Sequence, residues 1–199
     1  MKKNFKKAFT LVEMLIVVVI IGILSSALLP RLQGAQSAAR DAARKSDLSQ
    51  LGSAIISYYN NRWDYPWSWT KTDWKMVPAN TVGKLLIDVV ELSSVPSDPN
   101  RSNSFTFWGE TIWSWQYGYM LAKKNSIPNG GFVLMARVET EGGANYLSWL
   151  NGLSWDLKNF KACTKFEFLD AGSTAVSIDE ASWLCKYKEK SDLRYVYTF

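Results

Sequence analysis

Residues 9–29 read FTLVEMLIVVVIIGILSSALL, from Phe9 to Leu29, and this stretch decides the fold. It is 21 residues long and holds one charge, Glu13, near its start. A helix of about 20 apolar residues crosses the hydrocarbon of a bilayer. Four lysines precede it, Lys2, Lys3, Lys6 and Lys7, which by the positive-inside rule keeps that end in the cytoplasm and puts everything after residue 30 on the other side. An acid within the first turns of a spanning helix is costly, although a helix N-terminus offsets part of its charge, so Glu13 calls for a partner. Two plainer readings are a single-pass anchor and a secretory signal peptide. The second needs small residues after the apolar core, and Ser25–Ser26–Ala27 offers only a weak pattern of that kind.

Working outward, Lys7–Ala8–Phe9–Thr10–Leu11–Val12–Glu13–Met14–Leu15 resembles the processing site of type IV pilins and of the pseudopilins of type II secretion. The resemblance implies cleavage by prepilin peptidase between Ala8 and Phe9, N-methylation of the new amino-terminal Phe9, and Glu13 as the fifth residue of the mature chain. The family usually has Gly before the cut; here Ala8 stands there. In the family the acid pairs with the terminal amine of a neighbouring subunit, and a proline at the position of Pro30 marks a segment that unwinds on fibre assembly. Arg40–Asp41–Ala42–Ala43–Arg44–Lys45–Ser46–Asp47–Leu48–Ser49–Gln50–Leu51, with Tyr58–Tyr59, Asp64–Tyr65–Pro66 and Val95–Pro96–Ser97–Asp98–Pro99, is similar to the major pseudopilin of type II secretion. The resemblance covers residues 7–66 and 91–99 and fades beyond them.

Past the apolar run, Leu32, Ala35, Ala39, Ala42, Leu48, Leu51, Ile55 and Tyr58/Tyr59 recur at steps of three and four. That is a helix with one apolar stripe. Arg40, Asp41, Arg44 and Lys45 fall off the stripe, and Asp41 with Lys45 forms an i,i+4 pair. The reading is one helix over residues 9–59, about 75 Å long, kinked near Pro30. It is apolar all round in front and on one side behind. Small residues Gly22, Ser25, Ser26 and Ala27 permit close helix approach.

Residues 60–79 read as a polar, Trp-rich loop and 82–92 as a short helix. Strands are expected at 103–108, 111–120, 131–139 and 163–168, with 195–199 an edge strand and Asn129–Gly130–Gly131 and Gly142–Gly143 as turns. In 111–120 the alternation puts Trp113, Trp115, Tyr117 and Tyr119 on one face, a core face. The fold class is α+β and pilin-like: a long N-terminal helix packed against a small head of three or four antiparallel strands. The domains are a leader at 1–8, a transmembrane and assembly half-helix at 9–29, an amphipathic half-helix at 30–60 and an extracytoplasmic head at 61–199.

Composition narrows the chemistry. There is no histidine, which removes imidazole catalysis and the commonest metal ligand. Of 23 Lys and Arg, four lie in the leader, leaving 19 against 18 Asp and Glu, a formal +1. The basic balance is therefore a topology signal, and nucleic acid is not an expected partner. Two cysteines, Cys163 and Cys185, can form a disulfide outside the cytoplasm, worth about 3 kcal/mol for the loop it closes. Pilins often close a C-terminal loop in this way, and two unpaired buried thiols are the alternative. The acids Asp98, Glu110, Asp170, Asp179 and Glu180 are scattered and make no catalytic constellation. Some major pseudopilins bind Ca²⁺ in a loop after their strands. Residues 170–180 supply oxygens but lack that loop's pattern, so no cofactor is expected. The chain holds ten Trp, whose rings serve core and subunit packing or a carbohydrate- or DNA-contacting patch. Asn100–Arg101–Ser102 is formally a glycosylation sequon.

The function so implied is structural. The chain reads as a subunit of a type IV pilus-like or type II secretion pseudopilus filament, not an enzyme. Its expected partners are prepilin peptidase, identical or related subunits, an inner-membrane assembly platform and membrane lipid. It would sit as a single-pass protein of the cytoplasmic membrane, with filaments in the periplasm or at the cell surface. A membrane-anchored binding module that never polymerises is the alternative.

Overall fold

The computed structural model describes residues 10–66, 75–90, 92–102, 104–107, 110–125, 127–147, 162–168, 177–179, 184–187 and 193–199. The chain divides into two compact units, Met1–Ser37 and Ala38–Phe199. Helix α1, Leu11–Arg62, has residues in both. It stays helical through Pro30, where the missing N–H removes one backbone bond. It ends three residues later than the Asn60–Asn61 signal suggests. Trp63 takes a left-handed conformation at φ 59 and donates its N–H to the Tyr59 carbonyl at 2.7 Å, closing the last turn as a glycine commonly does.

In the second unit the elements after α1 are β1 (Val77–Pro78), α2 (Ala79–Val90), β2 (Phe105–Phe107), β3 (Glu110–Ile112), β4 (Gly118–Lys124) and β5 (Ile127–Arg137). A 3-10 turn (Glu141–Gly143), β6 (Tyr146–Leu147), β7 (Lys165–Phe168), β8 (Ser177–Asp179), β9 (Leu184–Tyr187) and β10 (Leu193–Thr198) follow. A five-stranded antiparallel sheet runs β1-β4-β5-β10-β6. The expected three or four strands become five here, with β2–β3 as a separate antiparallel pair and β7-β9-β8 as a third sheet. That third sheet is not wholly antiparallel, because β7 and β9 run parallel.

The central strand β5 explains the layering. Side chains alternate across a strand. Phe132, Leu134 and Ala136 join Leu48, Leu51, Ala54 and Ile55 of α1 in one core. Val133 and Met135 join Phe105, Phe107 and Ile112 of β2 and β3 in a second core on the other face. A near-continuous apolar strand is what covering both faces demands.

Three expectations are corrected. The stretch 111–120 is two strands, not one. Gln116 N–H donates to the Trp113 carbonyl at 3.2 Å and Trp115 sits at φ 65, a turn that breaks the alternation. Tyr117 and Tyr119 are accordingly buried while Trp113 and Trp115 are 64% and 48% exposed. Asn129–Gly130–Gly131 lies inside β5, where Asn129 at φ 54 takes up a register irregularity. The strand at 195–199 is not at the edge. β10 pairs with β5 on one side and β6 on the other, and the Asn145 amide extends that side by exchanging two hydrogen bonds with the Val196 backbone at 2.8 and 2.6 Å.

Close approach fixes α2. A methyl at Gly83 would run into the Val95 side chain. In an open helix Gly→Ala stabilises by about 1 kcal/mol. We expect Gly83→Ala to destabilise instead, by about 1–3 kcal/mol, and Gly83→Ala/Val95→Ala to recover most of that loss in thermal melts of the full chain in detergent. A Gly83→Ala variant more stable than the parent contradicts the packing described.

Candidate functional site

At the front of α1, Thr10 and Glu13 form a reciprocal cap. The Thr10 N–H and hydroxyl both donate to Glu13 Oε2, at 2.9 and 2.8 Å, and the Glu13 N–H donates to Thr10 Oγ1 at 3.3 Å. This is a capping box, which satisfies otherwise orphaned groups of the first turn. The carboxylate thus stands at the positive end of the helix dipole. The expected cleavage and methylation residues, Ala8 and Phe9, lie outside the described residues. Every residue from Leu11 to Leu29 is exposed, Leu11 most of all among the large apolar ones at 82%. Among the described residues, one helix is long and apolar enough to cross a membrane, and the apolar window in it is not buried at all. The hydroxyl of Ser26 donates to the Ile23 carbonyl at 2.8 Å, so this polar group is satisfied within the helix. Among the described residues no side chain stands within reach of a methyl placed at Gly22.

Within the second unit α1 turns a different face inward. Asp41, Arg44, Leu48, Leu51 and Ile55 are buried, at steps of three and four. Ala39 and Ala42, expected on the stripe, are exposed. The stripe begins with charge, and Arg44 is fully buried. Its guanidinium grips Asp98 with two bonds, Nε to Oδ2 at 2.7 Å and Nη2 to Oδ1 at 2.9 Å. It also donates to Asp41 Oδ1 at 2.6 Å and to Glu139 Oε1 at 2.8 Å. Arg40 adds a forked pair to Glu139, at 2.9 and 2.5 Å. Asp41 does not pair with Lys45. It accepts the backbone N–H of Glu139 and Thr140 at 3.0 and 2.8 Å and the Thr140 hydroxyl at 2.6 Å. Lys45 donates instead to the Gly142 carbonyl at 2.9 Å. A methyl at Gly143 would collide with the Asp41 carboxylate, so a glycine is needed there.

The electrostatics follow. Desolvation pulls Arg44 down, and the hydrogen bonds to Asp98, Glu139 and Asp41 outweigh it and hold the guanidinium above its ordinary range. Hydrogen bonds from Arg40, and then from Arg44, lower the Glu139 carboxyl to about 2 against the desolvation that raises it. One helical turn on, Tyr117 donates to Asp47 at 2.6 Å, and burial together with that bond pushes the phenol up.

The remaining candidates separate. Asp98 belongs to the Arg44 cluster, and Glu110 pairs with Lys75 at 2.9 Å on the surface. Asp170, Glu180 and most of the 170–180 segment considered for Ca²⁺ lie outside the described residues, as do seven of the ten tryptophans. Cys163 and Cys185 are bonded to each other, with Cα atoms 5.8 Å apart. At the sequon, Asn100 Oδ1 accepts the Ser102 N–H and hydroxyl at 3.2 and 2.7 Å, a local turn. Among the described residues no group of three or more acids and cysteines is arranged to hold a metal ion. Sequence reasoning missed the buried role of Arg44 and Asp41. The signal was present, since stepping back from Leu48 by four and then three gives those two positions.

Comparison with known proteins bears on the front of the chain. Residues 3–29 match the prokaryotic N-terminal methylation motif, which is diagnostic of prepilin and pseudopilin processing and methylation. No curated protein and no solved structure matches the chain. A long helix, apolar in front and packed at its rear on the five-stranded antiparallel sheet, is consistent with a pilin-like head-and-helix fold.

The charged cluster has a pH signature. The Glu139 carboxyl is depressed in the folded chain relative to about 4.5 when unfolded. The unfolded state then binds more protons, so this contribution is fully present above pH 4.5 and is lost as pH falls towards 2. We expect Glu139→Gln to be less stable than the parent at pH 7, with the gap closing over that window in denaturant titrations of the full chain. Arg44→Met, which leaves buried carboxylates without their cation, should cost about 3–5 kcal/mol. A gap that stays constant with pH contradicts the assignment to Glu139.

Proposed function

We propose that the chain is a structural subunit of a filament of the type IV pilus or type II secretion pseudopilus kind, anchored in the cytoplasmic membrane until it assembles. In this reading prepilin peptidase removes residues 1–8, the new amine on Phe9 is methylated, and residues 9–29 hold the subunit in lipid with the head outside the cytoplasm. Residues 30–60 form the amphipathic half-helix under the head, and Pro30 is where the helix unwinds as the fibre forms. The single observation that carries it is the match of residues 3–29 to the methylation motif, laid on a helix whose apolar front half is wholly exposed.

Assembly follows from simple electrostatics. A carboxylate in an apolar helix is costly unless paired. Methylation leaves the Phe9 amine positively charged. The amine of one subunit and Glu13 of the next neutralise each other in a dry interface, where the attraction is strong and each ion alone is penalised. Such a contact joins different surfaces of two copies and does not close, so it builds a fibre. The same pairing sets the axial stagger. The partners are then prepilin peptidase, further copies or related subunits, an inner-membrane assembly platform and membrane lipid.

A second reading has one observation in its favour. Trp113 and Trp115 stand exposed on a turn, as aromatic contacts in a carbohydrate- or DNA-binding module do. In that case the chain remains a membrane-anchored binding protein. The deciding experiment expresses the chain with its own assembly system and counts filaments. Glu13→Leu should insert in the membrane at parental levels while filament yield falls at least tenfold. Unchanged yield overturns the proposed pairing, and parental chains that never form filaments favour the binding module.

A further inference from the structure

β2 and β3 bury Phe105, Phe107 and Ile112 in the second core. Their other face carries Thr106 and Thr111, directly opposite each other in the ladder and both exposed. Exposure alternates on past the end of β3. Trp113 and Trp115 are exposed, and Ser114 between them is half-buried. Two hydroxyls and two indoles thus stand open along one hairpin and the turn that follows it. From Thr111 to Met120 there is no lysine, arginine or carboxylate. At the start of β3, Glu110 is paired with Lys75 at 2.9 Å.

The turn is strained and firmly held. Trp115 has φ 65, a left-handed conformation that glycine takes readily and a bulky side chain does not. Strain of this kind persists where the surrounding structure imposes it, and it marks positions where the side chain has a task. Three backbone bonds impose it here. The Gln116 N–H donates to the Trp113 carbonyl at 3.2 Å, the Asp98 N–H to the Trp115 carbonyl at 3.0 Å, and the Ala79 N–H to the Tyr117 carbonyl at 2.7 Å. Asp98 is itself gripped by Arg44. The two indoles are therefore presented by a preformed loop, with Cα atoms at most about 7 Å apart, and a ligand that meets them has little chain to order.

We propose that this turn is a binding site for a neutral β-linked glycan, with Trp113 and Trp115 as the stacking platform and Thr106, Thr111 and Ser114 as hydroxyl partners beside it. A sugar ring whose hydroxyls are equatorial has bare C–H faces and a polar rim. It stacks on an indole by apolar contact while its rim bonds to nearby hydroxyls. Nucleic acid stacks on such rings too, but its binding draws on cations along the backbone, and this stretch supplies none. The inference goes beyond the filament reading and holds whether or not the chain assembles. From the binding-module reading it takes only that the turn meets a ligand, and it names the class of that ligand.

The test is titration calorimetry on the unassembled full chain in a sugar-free detergent, with cellohexaose, chitohexaose and a single-stranded oligodeoxynucleotide as probes. At least one of the two glycans should bind with a Kd below about 1 mM, and more tightly than the oligonucleotide. Trp113→Ala and Trp115→Gly should each weaken that binding by about tenfold. Trp63→Ala, which removes a more exposed ring at the end of α1, should leave it unchanged. Trp115→Gly also separates ligand binding from packing. Glycine suits φ 65, so this variant should melt at or above the temperature of the parent while losing the glycan. A Trp115→Gly melt well below the parent assigns the ring to packing and overturns the proposal. Failure of both glycans to bind, or binding that survives both substitutions, overturns it as well. Tighter binding of the oligonucleotide, lost in the same variants, overturns it in favour of nucleic acid. Because the chains are unassembled, none of these failures alters a filament count, and the filament reading is judged separately.

Discussion

A fully buried guanidinium holds the head together. Arg44 donates to Asp41 on its own helix, to Asp98 in the loop after α2 and to Glu139 just past the end of β5. Three segments far apart in sequence are thereby fixed to one planar fork. A stripe of leucines alone packs well but tolerates sliding and rotation, whereas a forked ion pair tolerates little of either. Desolvating Arg44 is costly, and three carboxylates with good geometry offset it. The rest of the helix interface, from Leu48 to Ile55, then packs on a helix whose rotation is already set.

The helix as a whole carries two surfaces of opposite logic. From Leu11 to Leu29 it is apolar on every side and exposed, with a single acid held in a cap by Thr10. From Asp41 to Ile55 it buries a narrow face that opens with charges and continues with leucine and isoleucine. The first surface is incomplete without lipid or other helices around it. The second is complete within the chain. That division is the physical basis for reading the front of the helix as the part that engages partners.

Much of this was legible from residues alone. The apolar run, its lone acid and the flanking lysines gave the long helix and its likeness to prepilins, and the methylation motif falls on the same residues. The head was harder. Ranking positions by apolarity put Ala39 and Ala42 on the buried face and left Asp41 and Arg44 outside. Hydropathy does not register a charge whose partners come from about 50 and 95 positions later. Alternation over 111–120 looked like one strand because a turn from Trp113 to Gln116 keeps the aromatic spacing while breaking the strand. The closing strand looked like an edge because nothing local to it reveals Asn145 and β6 on its far side.

In the proposed reading residues 1–8 are removed and the newly exposed Phe9 amine is methylated. Intact-mass and amino-terminal peptide spectrometry of the protein purified from membranes of a strain carrying prepilin peptidase tests it most directly. A filament subunit of this kind starts at Phe9 and bears one added methyl group on its terminal nitrogen. A mature protein that starts at Met1, or that is cut after Ser25–Ser26–Ala27 and so lacks Glu13, contradicts it.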